Sequence, residues 1–167
     1  MRSIALQQVS SKFARDNAAR TLEHPVALRI IAKYAPEVAK RLEVSCPTGR
    51  VYVWGAKLER SHQTVKMIGR NSLVLFRRRN TVYKRGIVIE TTNNEELANA
   101  LWGRDVDGET WSNIFFFAKI TDMNRPAARV NENLGRSADD HWQGLVVLPI
   151  KDTEKARAFF ERELSAL

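Results

Sequence analysis

Residues 70–86, RNSLVLFRRRNTVYKRG, decide the fold prediction for this chain. The apolar run 73–76 leads directly into three consecutive arginines at 77–79, and a second extended segment then leads into Lys84 and Arg85. This pattern predicts a buried strand, an arginine-rich turn and a returning strand. Such a hairpin presents cations rigidly, and no acidic residue follows the arginines until Glu90. The segment therefore indicates a surface that meets a polyanion.

The composition agrees with a basic globular protein. The chain has 167 residues, enough for one domain with a buried core, and it is 44% hydrophobic and 28% charged. Its net charge of +8 is unusual and favours binding to phosphate backbones or anionic membranes. No long apolar span and no signal peptide are present, so we expect no membrane partner. The alternative is that the charge serves only solubility.

Cysteine and histidine are too few for a disulfide or a zinc site. The single cysteine, Cys46, excludes an intrachain disulfide and indicates a reducing cytoplasm. The chain has only three histidines in addition to this cysteine, so we expect no structural zinc site and no cofactor.

The first 48 residues are predicted to be a helical N-terminal extension. Ile4, Val9 and Phe13 follow helical spacing, and a break at 22–25 precedes a second apolar stripe that Pro36 divides. The loop at 45–49 is the expected boundary. The helices are predicted to cover a sheet edge.

From residue 50 the hydrophobic period changes to that of strands. Strands are predicted at 51–55, on both sides of the arginine turn, and at 86–90, 114–117 and 145–148; helices are predicted at 58–68, 95–102 and after Asp152, and a loop at 124–140. Residues 49–167 are therefore expected to be an α+β domain, a small mixed barrel of five or six strands with surrounding helices and a C-terminal helix.

Four pieces of sequence carry a family resemblance: GRNSLVLFRRRNTVYKRGIVIE, NNEELANALWGRDVDGETWSNIFFF, VNENLG and HWQGLVVLP. In this order and spacing they resemble the PUA-like superfamily, whose EVE and YTH members share a small barrel. The resemblance covers 51–149 and is strongest to the modified-base-reading modules of McrBC-type and related modification-dependent restriction proteins. The sequence departs from the pattern at 71–72 and at 135–136, where an acidic residue and an aromatic residue are usual.

The resemblance implies that a nucleotide is flipped out of the duplex and that its base is held in an aromatic pocket. Extruding a base costs a few kcal/mol. Stacking on an aromatic ring returns roughly 1–3 kcal/mol, and a buried methyl group adds about 0.8 kcal/mol. These terms nearly cancel for an unmodified base, so a methyl group and two hydrogen bonds decide whether the base is bound.

Candidate pocket residues are aromatic or hydrogen-bonding residues near strand ends in the matched region. Trp54 ends the first strand of this region, and Trp142 lies between hydrogen-bonding side chains. The alternative for both is core packing, and for Trp111 we favour a structural role. The predicted base pocket comprises Trp54, Ser61, His62, Trp102, Asp140 and Trp142.

Phosphate contacts are expected from the cations of the hairpin and of the neighbouring segments. Their default alternative is simple solvation. The predicted phosphate-binding residues are Lys57, Arg60, Arg70, Arg77, Arg78, Arg79, Lys84, Arg85 and Arg136.

No catalytic constellation is found, so the chain is not expected to be an enzyme. The spacing of Asp105, Asp107 and Glu109 lacks the continuation of an EF-hand, and Glu90 has no nearby E-x-K partner for a nuclease site. The expected partner is double-stranded DNA with a methylated base, with a nuclease or AAA+ motor fused or associated. The alternatives are an RNA-binding reader of the same fold and a protein-interaction subunit with a basic face.

Overall fold

The computed structural model describes residues 2–57 and 62–166. Its strands are β1 (Ser3–Gln8), β2 (Val26–Ala27), β3 (Arg50–Ala56), β4 (Leu73–Arg78), β5 (Thr81–Ile87), β6 (Glu90–Asn93), β7 (Asn113–Phe117), β8 (Ile120–Pro126) and β9 (Leu145–Pro149). Its helices are α1 (Lys12–Thr21), α2 (Leu28–Tyr34), α3 (Pro36–Ser45), α4 (His62–Lys66), α5 (Glu95–Trp102), α6 (Ala127–Asn133) and α7 (Glu154–Ser165), with a 3-10 turn at Ile150–Asp152.

The strands form two sheets. The five-stranded sheet has the order β8-β5-β4-β1-β9, and the four-stranded sheet has the order β2-β3-β7-β6. Pairing is antiparallel throughout except between β1 and β4. The α+β class is therefore confirmed. The predicted barrel of five or six strands is not, because the described strands pair as two separate sheets.

The arginine hairpin forms as predicted. β4 and β5 pair antiparallel, with Arg78 opposite Thr81, and Arg79 adopts a left-handed φ of 53° in the turn between them. The register shifts at Phe76/Arg77, which marks a β-bulge.

β1 corrects the prediction of a helix at the N-terminus. Residues 3–8 form a strand in the five-stranded sheet, parallel to β4 on one side and antiparallel to β9 on the other. Ile4 and Leu6 pack into one core cluster and Ala5 into the other. A strand buried on both faces has a continuous apolar run, whose period does not distinguish it from a helix segment.

Smaller corrections concern element boundaries. The stripe after Pro25 begins as strand β2 before α2, whereas Pro36 divides it as predicted and opens α3. The segment 124–140 is not all loop, because β8 and α6 extend into it. Thr153, not Asp152, caps α7 through a bond from the Ala156 N–H.

Two hydrophobic clusters lie on opposite faces of the five-stranded sheet. The first core fills the space between the two sheets and contacts α1, α2, α3 and α5, with Val74 and Phe76 facing it. The second core lies under α6 and α7, with Leu73 and Leu75 facing it. The alternation along β4 therefore decides which candidate residues lie near one another.

Candidate nucleic-acid interface

Five aromatic rings meet in the first core. Trp54 packs 4.8 Å from Trp111 and 5.5 Å from Phe76, measured between ring centroids. Trp111 also packs 5.7 Å from Trp102 and 5.3 Å from Phe13. Together these five rings form the tryptophan cluster. Trp54 is fully buried, so its ring is not exposed to solvent.

Gly55 permits this packing. A Cβ atom at this position would lie 2.7 Å from the Trp102 ring and 2.8 Å from the Trp111 carbonyl oxygen. Any side chain here would force the two tryptophans away from β3. The Trp-Gly pair at the end of β3 therefore brings the ring of Trp102 close to the strand backbone.

One face of α1 covers the cluster. Phe13, Asn17 and Thr21 recur at four-residue spacing and so lie on the same side of the helix. The Thr21 hydroxyl lies 2.8 Å from the Val53 carbonyl oxygen and accepts a bond of 3.0 Å from the Trp102 indole N–H. Because Phe13 contacts Trp111, Asn17 lies between two anchors on the cluster.

The side chain of Asn17 is buried and has no hydrogen-bond partner among the described residues. It is 0% exposed, and neither Nδ2 nor Oδ1 has a hydrogen-bond partner among the residues that the structure describes. The Trp54 indole nitrogen and the Thr110 hydroxyl are also buried and unpaired within that part of the chain. Each unsatisfied buried polar group costs about 1–3 kcal/mol. Such groups are rare in folded proteins and call for an explanation.

A cavity of about 240 Å³ adjoins the cluster. Thr110 and Ser112, the two sequence neighbours of Trp111, both line it. Its other lining residues are Lys57, Glu95, Arg104, Gly108 and Glu109. The cavity therefore lies beside the segment of chain that carries Trp111.

Charged pairs order the rim of this cavity. Lys57 forms ion pairs with Asp105 and, at 2.6 Å, with Glu109. The hydrogen bond from Lys57 lowers the pKa of Asp105, and the same bond raises the pKa of Lys57. Asp105 also accepts bonds of 3.0 Å from the N–H groups of Asp107 and Glu109, which hold the turn. Lys57 is thus engaged by acids of the rim, and its predicted phosphate contact would compete with them.

Trp142 and Asp140 lie apart from this cluster. Trp142 is buried in the second core, on the other face of the five-stranded sheet from Trp54. Its indole N–H donates to Asn131 at 2.6 Å, and its backbone N–H donates to the Asp140 carboxylate at 2.9 Å. That bond, with the Arg136 ion pair, lowers the pKa of Asp140. The structure therefore does not bring the predicted pocket residues into one site. Trp54 and Trp102 both pack on Trp111 in the first core, whereas Trp142 of the second core contacts Asp140.

Two of the predicted phosphate-binding arginines point inward. Arg77 is buried, donates to the Arg79 and Asp140 carbonyl oxygens, and lies 5.5 Å from the Trp142 ring. Arg85 is buried against Glu163 of α7. Arg77 follows Leu73 and Leu75 at alternate positions of β4, and Arg85 lies opposite Leu75 on β5. Both arginines therefore lie on the face of the sheet that carries the second core. Neither arginine is available to a phosphate in this structure.

The remaining predicted cations differ in accessibility. Arg70 and Arg79 are exposed. Arg78 lies 3.5 Å from Glu23 and 4.8 Å from the Tyr83 ring, and Lys84 pairs with Asp122 at 2.7 Å. Arg136 pairs with Asp140. Arg60 and Ser61 lie outside the described residues, and so does the side chain of His62.

A second cationic surface was not predicted. A groove of about 410 Å³ is lined by Arg20, His24, Arg29 and Arg50, among other residues. The three arginines are scattered over 31 positions of sequence, and the pairing of β2 with β3 places Arg50 opposite Ala27. No local sequence pattern could have revealed the groove.

Comparison with known proteins places the fold. No protein-family model and no curated protein matches the sequence. A solved structure described as the N-terminal domain of Thermococcus gammatolerans McrB bound to m5C DNA superposes with a TM-score of 0.71 and 19% sequence identity. The match covers 98% of this chain and 99% of the other. The chain has the fold of that McrB domain.

The structural likeness covers more of the chain than the sequence motifs do. The McrB domain matches nearly the whole chain, including the first 48 residues, whereas the motifs of the sequence cover only 51–149. Among the described residues no group of three or more His, Cys, Asp or Glu side chains is placed to hold a metal ion. Within that same part of the chain, no helix is long and apolar enough to cross a membrane.

Proposed function

We propose that this chain is a DNA-binding domain that recognises a methylated base in a duplex. The observation that carries the proposal is the whole-length likeness to a McrB domain whose structure was determined with m5C DNA. The net charge of +8 supports it, because lysine and arginine contacts to phosphates supply affinity that is independent of sequence.

The base would enter the tryptophan cluster from the adjoining cavity. Trp54 is fully buried, so a base can stack on it only if a neighbouring ring moves aside. Trp111 is the candidate, because residues on both sides of it line the cavity. The base would then take the place of the Trp111 ring against Trp54, and stacking would offset the cost of flipping.

The polar atoms favour this site over one at Trp142. The indole N–H groups of Trp102 and Trp142 are both satisfied inside the protein. The Trp54 N–H and the Asn17 amide have no partner within the described residues. A ligand that supplied those partners would remove their desolvation penalty, so the cluster around Trp54 gains more from an incoming base.

In a restriction system, such a domain would act as the sensor. The nuclease or AAA+ motor would then be a further domain or a separate chain. The exposed cations Arg70 and Arg79 would contact phosphates, and the groove lined by Arg20, Arg29 and Arg50 is a second candidate surface.

The test is a binding titration at physiological salt. Fluorescent duplexes of one sequence would carry 5-methylcytosine, 5-hydroxymethylcytosine, N6-methyladenine or no modification. We expect at least a tenfold preference for one modified duplex. Equal, weak binding to all four would contradict the proposal, and tighter binding to an RNA competitor of the same sequence would favour the RNA reader.

A further inference from the structure

Asn17, on the helix face that covers the tryptophan cluster, and Trp54, within it, carry buried hydrogen-bond donors and an acceptor that have no partner among the described residues. Asn17 contributes a donor, Nδ2, and an acceptor, Oδ1, and Trp54 contributes a second donor, Nε1. All three are buried and lack partners in the described part of the chain. The face of α1 that carries Asn17 is held on β3 by the Thr21–Val53 bond, next to Trp54 in sequence.

We infer that Asn17 is a specificity-determining residue that, with the Trp54 indole N–H, reads the Watson–Crick edge of a flipped pyrimidine. The inference rests on the proposed function and adds the residue that would read the base. A flipped base is identified through hydrogen bonds to that edge while its ring is stacked.

The count of donors and acceptors distinguishes pyrimidines from purines. The Watson–Crick edge of cytosine offers one donor, the amino group, and two acceptors, N3 and O2. One acceptor and two donors in the protein complement that set. Adenine offers one donor and one acceptor on this edge, which would leave the Trp54 N–H unpaired. Guanine offers two donors and one acceptor, which places donor against donor.

Thymine also offers one donor and two acceptors, so the number of donors and acceptors on Asn17 and Trp54 does not distinguish thymine from cytosine. Of 5-methylcytosine and N6-methyladenine, 5-methylcytosine is the one that combines a pyrimidine edge with a methyl group. The relevant comparison is therefore between 5-methylcytosine and N6-methyladenine, which carry their methyl groups on different edges and different ring systems.

The competing explanation is that Asn17 is structural and binds a buried water. The two explanations differ in what they predict for an apolar side chain of similar size. If the Asn17 side chain is unpaired until a base binds, Asn17→Leu removes two unsatisfied polar atoms and keeps a similar side-chain volume. The midpoint of thermal unfolding should then be unchanged or higher. If Asn17 holds a water that bridges other groups, the same change lowers the midpoint.

The experiment measures affinity for three duplexes, with 5-methylcytosine, N6-methyladenine or no modification, for the whole chain and its variants. We expect the unaltered chain to prefer 5-methylcytosine. Asn17→Leu should weaken binding to that duplex by about tenfold to hundredfold, as two hydrogen bonds are lost, and leave affinity for the unmodified duplex unchanged. Trp54→Phe, which keeps an aromatic ring and removes the indole N–H, should weaken binding to the same duplex by roughly fivefold.

Two matched controls separate reading from folding. Trp142→Phe removes an indole N–H that is satisfied by Asn131, so it should lower the unfolding midpoint without altering base preference. Asn133→Leu makes the same chemical change as Asn17→Leu at an exposed position on α6, over the second core, and should alter neither property.

The outcomes separate the inference from the proposed function. If the unaltered chain binds modified and unmodified duplexes equally, the proposed function fails. If it discriminates and Asn17→Leu discriminates equally well, the function stands and Asn17 does not read the base. A preference for N6-methyladenine overturns the pyrimidine assignment. If Asn17→Leu does not fold, the Trp54→Phe result decides, and unchanged discrimination there overturns the inference.

Discussion

Arg85 and Glu163 form an ion pair that is buried on both sides, with their side chains 7% and 0% exposed. The Arg85 guanidinium also donates to the Glu163 and Ala166 carbonyl oxygens, at 3.1 and 3.0 Å. Arg125 approaches the same carboxylate through its other oxygen. The pair therefore joins the last turn of α7 to the middle of β5, and it uses a cation that sequence alone assigns to phosphate binding.

Removing the acid should leave a buried, unpaired charge. We expect Glu163→Ala to lower the free energy of unfolding by about 3–5 kcal/mol, the usual cost of breaking a buried pair. Urea unfolding followed by tryptophan fluorescence would measure it. Glu161→Ala, an exposed change two residues earlier in the same helix, is the control and should stay within about 0.5 kcal/mol of the parent. A small effect for both would mean that Arg85 finds water or another partner.

Gly55→Ala should disturb the tryptophan cluster. The added methyl group would overlap the Trp102 ring and the Trp111 carbonyl, and overpacking of this kind costs about 1–3 kcal/mol. Gly69→Ala is the matched control, because nothing lies within 4 Å of the added atom and its φ is not left-handed. Thermal unfolding of both variants would show the difference. Equal midpoints would contradict the close approach of β3 and Trp102.

Asp140 should make the protein sensitive to acid. Its pKa is lowered mainly by the bond from the Trp142 N–H, with a further contribution from Arg136. A lowered folded-state pKa means that the carboxylate stabilises the fold above its unfolded pKa of about 3.9. This stabilisation is lost as the pH falls through the folded-state value. Asp140→Asn should therefore flatten the decline of stability below about pH 4, as measured by urea unfolding from pH 7 to pH 3. Parallel curves would show that Asp140 contributes nothing to this decline.

The exposed arginine of the hairpin should govern salt dependence. If Arg79 contacts one phosphate, Arg79→Gln should reduce the slope of log K against log salt concentration by about 0.9. The relative preference for a modified duplex should not change, because phosphate contacts carry no base information. Arg129→Gln, an exposed arginine on α6 over the second core, tests whether location matters. An equal reduction of the slope in both variants would indicate that only the total charge of the protein matters.

The hairpin and the strands after residue 50 were predictable because their chemistry is local. An apolar run, a turn and β-branched residues decide β3, β4 and β5 within a few positions. The start of α5 was predictable for the same reason. Asn94 caps the helix by accepting a hydrogen bond from the Leu97 N–H.

The inward arginines and the candidate reading residue were not predictable in the same way. Arg77 and Arg79 are two residues apart, yet one is buried and the other exposed, because the bulge and turn of the hairpin change the direction of their side chains. Asn17 was missed because an asparagine on a predicted amphipathic helix carries no distinctive signal. Only its burial without a partner marks it, and burial depends on β3 and the distant Trp111.

The parallel pairing of β1 with β4 has a consequence for how the molecule is assembled. During synthesis the first strand emerges long before its two partners, β4 at Leu73–Arg78 and β9 at Leu145–Pro149. Until β4 has left the ribosome, β1 has neither of its partner strands, so the nascent chain carries an apolar segment with nothing to pair with. Distant pairings of this kind slow folding and leave strands exposed to aggregation. A fusion or truncation at the first eight residues would thus act on an interior strand of the sheet and not on an edge strand.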